Sequence, residues 1–101
     1  MSGEKTPYKL VPQLGQLRDE VVYDDVWEQS ELSKRDRSLI TISALIALCR
    51  TPELSGHLRR AIDNGVTKDE IRGVITHLVF YAGWPTAVNA GRLAAEIFEG
   101  D

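Results

Sequence analysis

Glu53 and His57 stand four positions apart in the stretch TPELSGHLRRAIDNGVT, residues 51–67. On a helix that spacing puts both side chains on one face and within reach of each other. A carboxylate beside an imidazole raises the imidazole pKa and fixes its orientation, which suits a general acid near neutral pH. An exposed i, i+4 salt bridge has the same pattern and stabilises a helix by only about 0.3–0.5 kcal/mol. The residues alone leave both readings open.

Arg50, Arg59 and Arg60 flank the pair. Arginine's planar fork is the natural clamp for a carboxylate. Arg50, at a helix junction beside the pair, is the preferred clamp, while Arg59 and Arg60 read as solvated surface. Two histidines and Glu53 invite a metal reading. The chain has neither an HExxH motif nor paired Glu-x-x-His motifs, so no metal is expected. Cys49 is the single cysteine, which forbids an intrachain disulfide and leaves no CxxC pair. It continues an apolar helical stripe, so it reads as a small buried hydrophobe.

Helices must position these groups, because helical periodicity dominates and no alternating strand is visible. Residues 1–12 read as an extended arm, followed by a single helical domain over 13–101. A first helix is expected over about 13–29, with Leu14, Leu17, Val21 and Val22 on one face. Ser33 with Asp36 signals the start of a second, carrying Leu39, Ile42, Leu45, Ile46 and Cys49. Thr51-Pro52-Glu53 opens a third, with Thr51 as its cap, and Asn64-Gly65 stops it. Thr67 with Glu70 is a capping box for a fourth helix, with Ile71, Val74, Ile75, Leu78 and Val79 inward. The segment AGWP (82–85) breaks the chain before a last helix, where Ala87, Ala90, Gly91 and Ala94 form a small-residue face. Trp84 reads as a packing residue.

At 101 residues, with 43% apolar and 27% charged side chains, the chain suits one modest core. A net charge of −3 argues against a nucleic-acid binder. No apolar run reaches the roughly 18 residues of a membrane span. The opening MSGEKTPYKL has no signal-peptide core, so the cytosol is the expected compartment. Five short helices with few aromatics leave much apolar stripe for each residue of core. Some of that surface is therefore expected to be covered between subunits.

The segments RDRSLITISALIAL, CRTPELSGHLRRAIDNGVTKDEI and THLVFYAGWPTAVNA, in that order, resemble the carboxymuconolactone decarboxylase family. That family sits in the wider alkylhydroperoxidase D-like superfamily. The likeness covers roughly residues 26–98. It implies an all-α, five-helix orthogonal bundle that assembles as trimers or hexamers. It also implies one of two chemistries: cofactor-free decarboxylation of a small carboxylated lactone, or thiol-dependent peroxide reduction through a CxxC pair. Where the second branch places its cysteines, this chain has Arg50 and Glu53. Its relay glutamate corresponds most closely to Ser38. Disulfide exchange needs an attacking and a resolving sulfur, and neither position carries one.

The resemblance places His57 on the superfamily's functional histidine. The expected roles are therefore His57 as proton donor, Glu53 as its orienting partner and Arg50 as clamp for a small acidic metabolite. Trp27 falls where the family carries a Trp-containing segment near the pocket, although YDDVWEQ matches that segment poorly. His77 could close the same pocket or a subunit contact. The alternatives are an oligomeric relative that binds an acidic metabolite without turning it over, and a one-cysteine reductase working through Cys49.

Overall fold

The computed structural model describes residues 7–99, and within them every regular element is helical. Two compact units divide the chain, one ending at Leu32 and the other beginning at Ser33.

In the first unit, α1 (Pro7–Leu10) and α2 (Pro12–Leu17) are followed by a π-helical turn at Arg18–Tyr23 and a 3₁₀ turn at Val26–Glu28. The sequence suggested one helix over 13–29; the chain instead changes its winding twice. None of residues 7–32 is buried. Leu14, Leu17, Val21 and Val22, the anticipated inner face, are all exposed. Without a buried stripe, a short segment has little to enforce regular α-geometry. Local contacts tie the unit together: the Arg18 guanidinium lies 4.3 Å from the Tyr8 ring centre, and Tyr23 and Trp27 meet at 5.8 Å. Residues 7–10 are a helical turn where an extended arm was expected; the rest of that arm, residues 1–6, lies outside the described residues.

The second unit is built from α3 (Lys34–Ala47), α4 (Thr51–Asp63), α5 (Lys68–Ala82) and α6 (Trp84–Phe98). Its local signals act largely as the sequence suggests. Ser33 accepts from the Asp36 amide at 3.0 Å and starts α3. Thr67 and Glu70 form a reciprocal capping box at 3.0 and 2.9 Å and start α5. Gly83, at φ 107°, separates α5 from α6. Both α3 and α4 close on Schellman turns. Gly65, at φ 99°, donates to Ile62 and Val66 donates to Ala61; Cys49, at φ 60°, donates to Ile46 and Arg50 donates to Leu45. Thr51 does not cap α4, because the chain passes directly from this turn into the helix and Arg50 occupies the cap position.

Ile42, Ile46, Leu54, Leu58, Ala61, Val66, Ile71, Ala90, Ala94 and Ile97 form the core. The small side chains of α6 let it lie close to its neighbours. Ser38 is buried and accepts from Asn64 at 2.9 Å, joining the start of α3 to the end of α4. Arg35 and Glu70 pair between α3 and α5. Among the described residues no helix is long and apolar enough to cross a membrane.

Candidate active site

Leu54, Leu58 and Ala61 anchor the inner face of α4. Their burial fixes where the rest of the helix points: His57 stands half-buried at the margin of that face, with Glu53 exposed one turn earlier. Glu53 does not reach forward to His57. Instead Arg50 grips it with two bonds, Nε to Oε1 and Nη2 to Oε2, each 3.2 Å. Among the described residues no hydrogen bond joins Glu53 to His57.

The electrostatics of His57 follow from this. Burial lowers its pKa below the ordinary 6.5, and the positive charge of Arg60 one turn later lowers it further. A carboxylate partner would have raised it, so the imidazole rests neutral at neutral pH. Arg60, expected to be inert surface, is the charged group that His57 senses. The spacing i, i+3 was the available signal.

The structure places His77 on an exposed part of α5, where its ring stacks on Tyr81 at 4.6 Å. Trp27 is half-buried in the N-terminal unit against Tyr23. Trp84 is 67% exposed, so it does not serve as packing in this chain. Cys49 is not a buried hydrophobe: α3 ends at Ala47, and the left-handed turn carries the thiol off the apolar stripe into solvent. Its Sγ lies 3.5 Å from Thr86 Oγ1, beside a cavity of about 70 Å³ also lined by Asn89.

Among the described residues no three His, Cys, Asp or Glu side chains gather as a metal ion would require. Among the described residues, grooves of about 390, 350 and 270 Å³ involve α5 or α6, and His57 lines none of these three. The arrangement along α4 therefore offers an imidazole under the positive charge of Arg60, and one turn earlier a carboxylate gripped by Arg50. These groups can exchange a proton and hold an anion.

The profile of the carboxymuconolactone decarboxylase family matches residues 12–96. The chain is 44% identical over 77 residues to 4-carboxymuconolactone decarboxylase of Acinetobacter baylyi, covering 76% of this chain and 58% of that protein. It is 37% identical over 75 residues to nitrosuccinic acid decarboxylase of Metarhizium robertsii, covering 74% of this chain and 52% of that one. The matched region thus spans little more than half the length of either relative. Its sequence, along most of its length, places the chain in the carboxymuconolactone decarboxylase family.

Proposed function

We propose that this protein is a cofactor-free carboxy-lyase acting on a small carboxylated lactone of the carboxymuconolactone kind, with His57 supplying the proton. The observation that carries this reading is the half-buried imidazole of His57 beside Arg60 and the Arg50–Glu53 pair, on a helix within the family match. The relatives are named as decarboxylases of 4-carboxymuconolactone and of nitrosuccinic acid, and in each acid a lactone or a nitro group can take up the electron pair that departing carbon dioxide leaves behind. Such a substrate provides its own electron sink. The carbon–carboxylate bond breaks, carbon dioxide leaves, and the electron pair moves into the conjugated lactone as a dienolate. One proton then returns to carbon.

In this reading the residues have separate tasks. An anionic substrate offsets the positive field of Arg60, so the His57 pKa rises on binding and the imidazole takes up the proton it later delivers. Arg50 contributes the carboxylate clamp, and Glu53 holds that guanidinium in place, which replaces the direct Glu53–His57 contact anticipated from spacing. Because His57 lines none of the three larger grooves, a wall from a neighbouring subunit is proposed to close the site, in keeping with the trimer or hexamer that the family resemblance implies. Trp27 and His77 are retained as substrate contacts only in such an assembly.

Carbon dioxide release from 4-carboxymuconolactone by the wild type, with His57→Ala alongside, tests the proposal. A fall of at least about 100-fold in turnover is expected for loss of a general acid. Near-normal turnover in the mutant would remove His57 from the chemistry. Thermal stabilisation by the lactone without turnover would favour an oligomeric relative that only binds an acidic metabolite. That second reading has one observation in its favour, since two donors of the Arg50 fork are already engaged by Glu53. Cys49 is solvent-accessible, and its Sγ contacts the Thr86 hydroxyl, which supplies no resolving sulfur.

A further inference from the structure

Lys68 and Arg72 stand four positions apart at the start of α5, side by side on one face of the helix. From Gly73 to Gly91 the sequence then contains no Asp, Glu, Lys or Arg. A trough of about 390 Å³ has both cations at one end and runs between α5 and α6, with Ile71, Ile75, Ala94 and Ala95 along its sides. A Cβ placed on Gly91 would meet nothing within 4 Å, so the trough floor is open there. A groove of about 270 Å³, sharing Ile75 and Thr76, continues it to Phe80 and Trp84. The trough lies within the roughly 300–1,000 Å³ of small-molecule sites. No residue of α4 lines either recess, so His57 is not part of them.

The charged end has capacity for an anion. Lys68 Nζ lies 5.4 Å from the centre of the Phe98 ring, and among the described residues no carboxylate pairs with it. A cation over a half-exposed ring is held weakly and can turn to a better partner. Asp69 engages Nη1 of Arg72, which leaves the other N–H groups of that fork to donate. Glu99 lines the same end and carries the opposing charge. Two cations against one carboxylate leave one net positive charge, which balances a monoanion and not a dianion. Along α5, Lys68 to Thr76 spans about 12 Å at 1.5 Å per residue. A chain of roughly eight to ten carbons covers that length.

We infer that the α5–α6 trough is a binding site for an amphipathic monoanion, a medium-chain carboxylate. Its head sits between Lys68 and Arg72, and its apolar body lies over Ile71, Ile75 and Gly91 towards Phe80. This inference stands apart from the reaction proposed above and holds or fails without it.

Titration calorimetry of the whole chain with decanoate tests the site, with amide NMR shifts to locate it and circular dichroism to check folding. Decanoate is expected to bind with a Kd of about 1 mM or below. Hexanoate should bind at least about tenfold more weakly, since each buried methylene favours binding by up to about fourfold. Decanol lacks the head charge and Lys68→Gln removes one partner for it. Each should weaken binding about threefold to fivefold, as expected for exposed ion pairs. Gly91→Leu enters open space, improves helix propensity and occupies the floor, so it should weaken binding about tenfold or more. Ala95→Glu, at an exposed position, tests the trough through charge repulsion if Gly91→Leu fails to fold. His57→Ala should leave decanoate binding unchanged, which separates the trough from the proposed reaction site. No saturable binding (as when another copy covers the trough), equal affinity for decanol, unchanged affinity in folded Gly91→Leu, or amide shifts centred on His57 would each overturn the inference.

Discussion

At the scale of single residues, the decisive competition on α4 is for one carboxylate. Glu53 has Arg50 three positions behind it and His57 four ahead, and both spacings permit contact. The guanidinium wins because it offers two charge-assisted bonds in parallel, whereas a neutral imidazole offers one weaker bond. Sequence spacing identified the competing residues but could not choose between them. It also passed over Arg60, whose importance depends on how far His57 is buried. The pH dependence of the proposed reaction follows. If His57 delivers a proton, kcat/KM reports its free-enzyme pKa and should fall as pH rises through a value below 6.5. Arg60→Gln removes a neighbouring positive charge and should move that limb to higher pH. A limb that stays in place in this variant would show that Arg60 does not set the charge state of the acid.

At the scale of elements, the four helices from Lys34 to Phe98 were legible because their boundaries are local chemistry. Ser33, the Thr67–Glu70 box, Gly65 and Gly83 each satisfy or redirect particular backbone groups. Cys49 was misread because periodicity does not know where a helix stops. The spacing Ile42, Ile46, Cys49 runs two positions past the helix end at Ala47 and into the turn, where Cys49 takes the place that glycine fills at the end of α4. The region 13–29 was misread for the opposite reason. Its apolar spacing is helical, yet no burial accompanies it in its own unit. The two Schellman turns yield a paired prediction. A non-glycine residue in the left-handed region costs about 1–2 kcal/mol, and glycine avoids this at the cost of a more mobile unfolded chain. Cys49→Gly should therefore stabilise by about 0.5–1 kcal/mol, while Gly65→Ala should destabilise by about 1 kcal/mol. Urea unfolding measures both. Cys49→Ala, which removes the thiol and keeps the backbone strain, separates loss of the Thr86 contact from relief of φ; equal gains in Cys49→Ala and Cys49→Gly would refute the strain argument.

At the scale of the whole molecule, His57 and Glu70 are two of the groups whose depressed pKa values link folding to pH in the same direction. The His57 pKa is lower in the folded chain than the ordinary 6.5, so between the folded value and 6.5 the unfolded chain binds more protons. Stability therefore rises with pH across that window, and acidification through it is destabilising. Glu70 is depressed below 4.5, chiefly by the Thr67 amide of the capping box, then by the charge of Arg35. Its contribution is fully present above 4.5 and is lost as pH falls through the lower folded value. The urea midpoint of the wild type should thus decline on acidification in two stages, an upper one below 6.5 and a lower one below 4.5. His57→Gln should flatten the upper stage and leave the lower intact. Glu70→Gln should shrink the lower stage, to which the depressed Asp19 also contributes, and leave the upper intact, with an added cost at every pH from the weakened cap. Because any assembly makes unfolding depend on protein concentration, the series belongs at several concentrations. An upper stage that survives in His57→Gln at all of them would mean that the proton coupling resides elsewhere, and the depressed His57 pKa from which the pH limb of the proposed reaction is argued would lose its support.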